Sequence, residues 1–332
     1  MMFNGRTVLI TGGTGSFGKK FTEIVLATFK PKKLIIFSRD ELKQFDMAKK
    51  FPPERYPIRY FLGDIRDRQR LYRAFEGVDY VVHAAALKQV PALEYNPFEA
   101  VKTNIIGAEN IVDAAIDRQV EKVVVLSTDK AVNPVNLYGA TKLAMEKIFI
   151  AANVYSGAQK TSFSIVRYGN VIGSRGSVIP FFANLLKKGE KTLPITDERM
   201  TRFWISLEQG VGLVIKALAE GVGGEIFVPK IPSMKITELA KALCPECACK
   251  VVGIRPGEKI NETLISEDEA RTTVDIGGEF VILPQFGLGK ASLGKYDNSK
   301  RVGEGFVFRS DLNERFLTVG NLKELIKGME FE

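Results

Sequence analysis

The sequence predicts a doubly wound α/β fold, a parallel sheet covered by helices on both faces, on three observations. Short continuous runs of Val, Ile and Leu recur through the first half of the chain with helical stretches between them, the pattern of parallel strands buried on both sides. The first run opens directly into a glycine-rich turn from Gly12 to Gly18. After about Val171 the segments become shorter and richer in Gly and Pro. Residues 1–170 therefore read as the regular strand–helix alternation, and residues 171–332 as a smaller part interleaved with the last strands of the sheet.

Each element follows in order. Thr7–Thr11 is a buried strand, and Phe17–Phe29 carries helical periodicity behind the glycine turn. Leu34–Ser38 and Ile58–Leu62 are the second and third strands, the latter ending at Gly63-Asp64. Tyr80–Ala84 and Lys122–Ser127 follow, each after a helical stretch. The later segments Gly173 to Pro180, Pro229 to Pro232 and Arg255-Pro256-Gly257 mark turns of the smaller part. Pro284 to Gly305, with many Gly, Lys and Ser residues and little periodicity, reads as an exposed loop.

Composition narrows the class. Of 332 residues, 45% are hydrophobic and 26% charged, ordinary values for a globular chain that set aside disordered, collagen-like and coiled-coil architectures. No stretch approaches the ~20 apolar residues of a membrane span. The first residues run into a strand without a signal-peptide layout, so the expectation is a cytoplasmic protein with no membrane partner. Lys and Arg exceed Asp and Glu by 47 − 39 = 8, but in scattered pairs such as Lys19-Lys20 and Lys187-Lys188. That favours a solvated surface, or a site for phosphorylated small molecules, over a nucleic-acid stripe.

The single histidine, His83, excludes a two-His zinc site. The three cysteines cluster as Cys244, Cys247 and Cys249. A fourth metal ligand is missing and a cytosolic setting disfavours disulfides, so they are expected to be surface or loop thiols, with no metal bound.

The turn Thr11-Gly-Gly-Thr-Gly-Ser-Phe-Gly18 places glycines at 12, 15 and 18, after a strand and before a helix. Gly12, Gly15 and Gly18 permit the tight turn, close backbone approach to a pyrophosphate and close helix packing, with Thr14, Ser16 and Phe17 beside the anion. The end of the second strand selects the dinucleotide: Ser38, Arg39 and Lys43 suit a 2′-phosphate, while Asp40 argues the other way. NADP is the expected cofactor. Asp64 is placed to accept from the adenine amino group.

Tyr138 and Lys142 lie four residues apart on a predicted helix, hence on one face. An ammonium beside a phenol lowers the phenol's pKa, so Tyr138 is a candidate acid–base for a sugar hydroxyl. With Ser127-Thr128 at the strand end before it, the pair resembles the active site of the extended short-chain dehydrogenase/reductases.

A narrower resemblance rests on Thr128-Asp129-Lys130, Arg167-Tyr-Gly-Asn-Val171, Gly173 to Pro180, Ile195-Thr-Asp197, Met200 to Trp204 and Gly253 to Lys259. With Ser38 to Gln44 and His83 to Lys88, these resemble the inverting UDP-N-acetylglucosamine 4,6-dehydratases. The resemblance implies that Tyr138 takes the O4 proton as hydride leaves C4, Lys130 removes the C5 proton, and Asp129 protonates the departing 6-hydroxyl. Hydride then returns to C6 and C5 is reprotonated from the opposite face. It further implies Thr128 and Lys142 in catalysis, and Ile65, Ala84, Lys88 and Val171 against the cofactor. Lys88, Asn170, Arg175, Val178, Thr196, Met200, Arg202, Arg255 and Glu258 are implied contacts of the UDP-sugar. Lys130 must be neutral to act as base, and burial beside Lys142, Lys88 and a nicotinamide cation would depress its pKa.

The alternative enzyme is a UDP-hexose 4-epimerase, and the alternative non-enzyme a dinucleotide-sensing regulator. An apolar helical pattern at Asn104–Ile116, with the resemblance, suggests a homo-oligomer.

Overall fold

The structure, a computed structural model, describes residues 2–157, 161–285 and 294–327. The strands of the first half are β1 (Thr7–Thr11), β2 (Lys33–Ser38), β3 (Ile58–Leu62), β4 (Tyr80–His83), β5 (Lys122–Thr128) and β6 (Ser162–Tyr168). The interleaved helices include α1 (Ser16–Thr28), α2 (Glu41–Lys50), α3 (Arg68–Ala74), α4 (Val90–Tyr95), α5 (Pro97–Val101), α6 (Gly107–Asp117) and α7 (Leu137–Tyr155). The strands stand in the order β3-β2-β1-β4-β5-β6 and pair in parallel. The order reverses between β1 and β4, and a crevice opens at the carboxyl ends of strands at such a switch point.

The chain after β6 both completes this sheet and leaves it. Ile226–Pro229 adds a parallel strand beside β6. Three short strands, Glu279–Ile282, Thr273–Asp275 and Lys300–Arg301, extend that edge antiparallel to give ten strands in all. Helix Leu207–Glu220 covers the sheet beside α1. Between these returns lie Asn170–Val171, helix Val178–Lys187 and the fully buried strand Thr201–Ile205. They build a second core around Ile179, Phe182, Trp204 and Leu239.

Three expectations are corrected here. The apolar face at Asn104–Ile116 is turned inward and so gives no support to an oligomer: Ala108, Ile111, Ala114 and Ala115 are buried in the main core, and the helix begins as a π-helical turn at Lys102–Ile106. Within Pro284 to Gly305, residues 286–293 lie outside the described residues. The remainder is not a bare loop: Tyr296 is buried and donates to Glu225, 3.1 Å away, and Lys300–Arg301 is the edge strand. Lastly, Cys244 and Cys247 are joined in a disulfide, Cys244 is buried, and Cys249 alone is free and exposed. Two cysteines three residues apart at the end of helix Ile236–Leu243 meet because the chain turns there, Cys247 N–H donating to the Cys244 carbonyl.

Candidate active site

A cleft of about 720 Å³ runs along the carboxyl ends of the strands. Its first half is built by β1 and α1. Gly12 has φ +65°, and a Cβ there would lie 2.9 Å from the Ala85 backbone; at Gly18 it would lie 2.3 Å from the Gly13 carbonyl oxygen. Glycine is therefore required at both places. Helix α1 starts at Gly15 with no side chain capping it and no acid in its first turn, which leaves its positive end for an anion. Thr14 and Ser38 hydroxyls lie 2.8 Å apart across the turn. These observations fit a dinucleotide.

At the far end of this half, Asp40 caps α2, accepting from Lys43 N–H at 3.0 Å and pairing with the Lys43 ammonium. Arg39 is half-exposed, 3.5 Å from Asp64. Asp64 also accepts from Arg66, at 2.8 Å. Burial pushes the Asp64 carboxyl up, but the Arg66 bonds outweigh it and leave its pKa lowered. Of the expected cofactor residues, all but Gly18 line the cleft, Ile65, Ala84, Lys88 and Val171 among them; Gly18 packs behind the turn.

The second half is built by the end of β5 and the start of α7. Thr128 closes the strand, and Asp129–Ala131 forms a single 3-10 turn. Asp129 is fully buried. One of its oxygens accepts from the Thr128 hydroxyl at 2.8 Å and from Lys130 Nζ at 2.9 Å. The other is buried with no hydrogen-bond partner among the described residues. Lys130 Nζ also reaches Asn170 Oδ1 at 3.5 Å. Asn136 caps α7, accepting from Gly139 N–H at 2.7 Å while its amide donates to the Gly257 carbonyl at 2.7 Å. A Cβ on Gly139 would lie 2.1 Å from the Lys130 carbonyl oxygen. The helix carrying Tyr138 can thus press against the turn carrying Lys130.

Two electrostatic expectations change. Burial lowers the Lys130 ammonium, but the charges of Asp129 and Glu262 outweigh that and hold it above its ordinary value. The expected depression by Lys142 and Lys88 does not govern it, because two carboxylates lie 2.9 and 3.5 Å from its Nζ. Burial also raises the Tyr138 hydroxyl to about 12. Lys142 does not offset this: it is itself lowered to about 8 by burial, and its ammonium donates to the Leu126 carbonyl at 2.6 Å. Tyr138 and Lys142 do share the cleft wall.

Expected substrate residues divide. Lys88, Asn170 and Arg175 line the cleft, with Lys88 Nζ donating to the Arg175 carbonyl at 3.2 Å. Val178, Thr196, Met200, Arg202, Arg255 and Glu258 are not on its wall; Met200 sits in the second core and Arg255 is exposed. Arg202, expected to offer its fork to a diphosphate, is buried and donates to the carbonyls of Thr201, Lys259 and Ile260 at 2.7–2.8 Å. It holds the 259–260 backbone against the buried strand Thr201–Ile205.

Sequence reasoning missed two groups. Glu262 is buried, 3.5 Å from Lys130 Nζ; its signal was an acid four residues beyond Glu258 in the same segment. Glu146 and Arg167 form a buried pair at 2.6 Å beneath the site. Ser127 donates to Glu146 at 2.5 Å, and Glu269 also pairs with Arg167, at 2.8 Å. His83 is buried, 2.7 Å from the Thr11 hydroxyl, and lowered to about 3 by burial, so it is a neutral structural group.

Residues 8–284 match the model of a family described as polysaccharide biosynthesis protein. An inverting UDP-N-acetylglucosamine 4,6-dehydratase of Campylobacter jejuni is 52% identical, covering 99% of each chain. A UDP-glucose 4-epimerase of Rickettsia felis is 42% identical, over 99% of this chain and 98% of its own. Among solved structures, a dTDP-glucose 4,6-dehydratase of Streptomyces venezuelae with NAD bound superposes with a TM-score of 0.68 at 25% identity, covering 76% of this chain and 86% of that one.

Proposed function

The chain belongs to the polysaccharide biosynthesis protein family, on a Rossmann-type short-chain dehydrogenase/reductase fold, and we propose that it is an inverting UDP-N-acetylglucosamine 4,6-dehydratase. The observation that carries this reading is the Asp129–Lys130 hydrogen bond, with Lys130 and Tyr138 on the wall of the dinucleotide cleft and Asp129 fully buried. The full-length similarity to the Campylobacter jejuni dehydratase supports it.

Bound in the cleft, the dinucleotide supplies the acceptor for the hydrogen and electron pair of C4 and gives them back at C6. The chain's own groups move the protons. Tyr138 takes the proton of O4 as the ketone forms. That requires its phenolate, a form that the positive charge of a bound nicotinamide would favour. The ketone acidifies C5–H. Lys130 takes that proton, C6–O6 breaks, and Asp129 gives its proton to O6 so that water leaves. Two protons leave the sugar, from O4 and C5, and two are returned, to O6 and later to C5. Reprotonation on the opposite face gives the L-arabino product. Both working forms arise together when one proton moves along the 2.9 Å Lys130–Asp129 bond, leaving a neutral amine and a carboxylic acid.

NADP is the proposed dinucleotide, because Asp40 is committed to capping α2 while Arg39 faces solvent beside the adenine side. Residues 1–170 would bind it, and residues 171–332 mainly the UDP-sugar. Lys88, Asn170 and Arg175 are the sugar-nucleotide contacts the cleft supports. We place the protein in the cytoplasm; no helix among the described residues is long and apolar enough to cross a membrane. We also propose a homo-oligomer, with exposed Tyr95 and Phe98 as the supporting surface.

The Rickettsia felis relative favours a second reading, 4-epimerisation, which has no use for an acid–base pair at C5 and C6. Mass spectrometry of UDP-N-acetylglucosamine after incubation with enzyme and cofactor, coupled to chromatography that resolves the two 4-epimers of equal mass, decides. Loss of one water is the result expected; isomerisation without mass change gives the epimerase, and unchanged sugar rejects both.

A further inference from the structure

We infer that Glu262 is the standing counter-anion of Lys130, a positioning residue that stays charged while Asp129 is neutral and stabilises the lysine as the C5 proton arrives. The inference rests on the dehydratase reading above. Glu262 is 2% exposed, and its Oε1 lies 3.5 Å from Lys130 Nζ. Its other oxygen is buried with no hydrogen-bond partner among the described residues, 3.7 Å from Lys259 Nζ. Such a carboxylate is costly unless nearby cations offset its desolvation.

The backbone fixes it in place. Glu262 N–H donates to the Ser310 hydroxyl at 3.0 Å, Ser310 N–H donates to the Glu262 carbonyl at 2.9 Å, and the Ser310 and Thr201 hydroxyls lie 2.6 Å apart. Arg202 Nε stands 3.9 Å from Oε1. The charged or titratable groups facing Lys130 are thus Asp129 on its own turn, Tyr138 from α7, Lys88 before α4, and Arg202, Lys259 and Glu262 from the smaller part.

The need for a second carboxylate follows from the proton balance. In the elimination the C5–H bond breaks and Nζ–H forms, the C5–H electron pair becomes the C5–C6 double bond, C6–O6 breaks, and the Asp129 proton moves to O6. Asp129 is neutral at the start of that step, so its charge cannot attract the incoming proton to Lys130. Glu262 carries a charge throughout and lies within 4 Å of the same nitrogen, where low dielectric makes such a field strong.

The test uses Glu262→Gln and Glu262→Asp in the holoenzyme, with two readouts in single turnover. Absorbance of reduced nicotinamide reports oxidation at C4, and mass spectrometry reports loss of water. In Glu262→Gln, C4 oxidation should stay within about twofold, which also shows that the variant folds. At pH above the acid limb, where Lys130 is already the neutral amine with and without Glu262, water loss should slow roughly tenfold to a hundredfold, the rate equivalent of one charge-assisted contact, with reduced cofactor accumulating. The acid limb of the elimination rate should move to lower pH, because one of two anions holding the Lys130 proton is gone. Glu262→Asp should recover part of the rate. Equal slowing of both steps, an unmoved limb or a change in KM alone would make Glu262 a structural residue and overturn the inference. A wild type that releases no water instead overturns the dehydratase reading beneath it.

Discussion

Lys130 Nζ stands 2.9 Å from one oxygen of Asp129, while the other oxygen of that carboxylate is buried with no hydrogen-bond partner among the described residues. The pair at rest is an ion pair, with the lysine held protonated by Asp129 and Glu262. In the mechanism proposed above its working form is the neutral one, and elimination would return the pair to its resting charges.

The first prediction separates the proton steps. Lys130→Ala should leave dinucleotide affinity intact and block water loss, so that reduced nicotinamide builds up or the sugar reverts. Tyr138→Phe should impair C4 oxidation itself. General acid–base groups contribute about 10²–10⁴ in rate, and stopped-flow absorbance with mass spectrometry reads both losses. Wild-type reaction in D₂O should place deuterium at C5 of an L-arabino product. A D-xylo product, or near-normal turnover of Lys130→Ala, refutes the assignment.

The second concerns the dinucleotide. Arg39 is half-exposed on the cleft wall, 3.5 Å from Asp64. Arg39→Ala should weaken NADP binding by roughly tenfold to a hundredfold, the value of one charge-assisted hydrogen bond, and NAD binding far less. Titration by calorimetry measures both; equal losses would remove Arg39 from the 2′-phosphate.

These roles were legible to unequal degrees, for physical reasons. Thr7–Thr11 was readable to the residue, because a strand buried on both faces must be apolar without interruption. Ile58–Leu62, the edge strand with only Ile58 and Phe61 buried, was readable because Gly63-Asp64 ends it. The glycine turn was readable because Gly12 and Gly18 answer to backbone contacts made within the same βα unit. Lys130's charge state was not, since it depends on Glu262, brought in from 132 positions away by the strand Thr201–Ile205 and its bond to Ser310. Arg202 misled for the same reason: an arginine in a motif shows what it can bind, and only the fold shows that three carbonyls already hold it. Periodicity at Asn104–Ile116 marked an apolar face correctly but could not tell the main core from a partner surface.

A third prediction follows from His83. Buried against Thr11 and lowered to about 3, it stays neutral in the folded protein, whereas the unfolded chain protonates it below about 6.5. The unfolded state therefore binds more protons between those values, so this contribution to stability falls as pH falls through that window. At ~1.4 kcal/mol per pH unit the loss amounts to a few kcal/mol by its acid end. His83→Gln should flatten the melting temperature against pH on the acid side relative to wild type. Parallel curves would show that His83 titrates normally in the fold.

The last prediction tests the contact that joins the two halves of the acid–base machinery. Gly139 does not need its flexibility, since its φ is not positive; it needs the absence of a side chain. A methyl group there would sit 2.1 Å from the Lys130 carbonyl oxygen and 3.0 Å from a Pro134 side-chain carbon, and neither backbone nor proline ring can retreat like a flexible side chain. Gly139→Ala must therefore push the Asp129–Ala131 turn away from α7. Alanine favours a helix by about 1 kcal/mol over glycine, so α7 itself has no reason to melt, and its cap at Asn136 stays available. The variant should keep its far-ultraviolet circular dichroism and its dinucleotide affinity, because the glycine turn at residues 12–18 is untouched. Water loss should fall by at least the ~10²-fold of a displaced general base, and C4 oxidation by less, since Tyr138 moves with its own helix. Near-wild-type dehydration by Gly139→Ala would mean that Lys130 does not depend on its seat against α7.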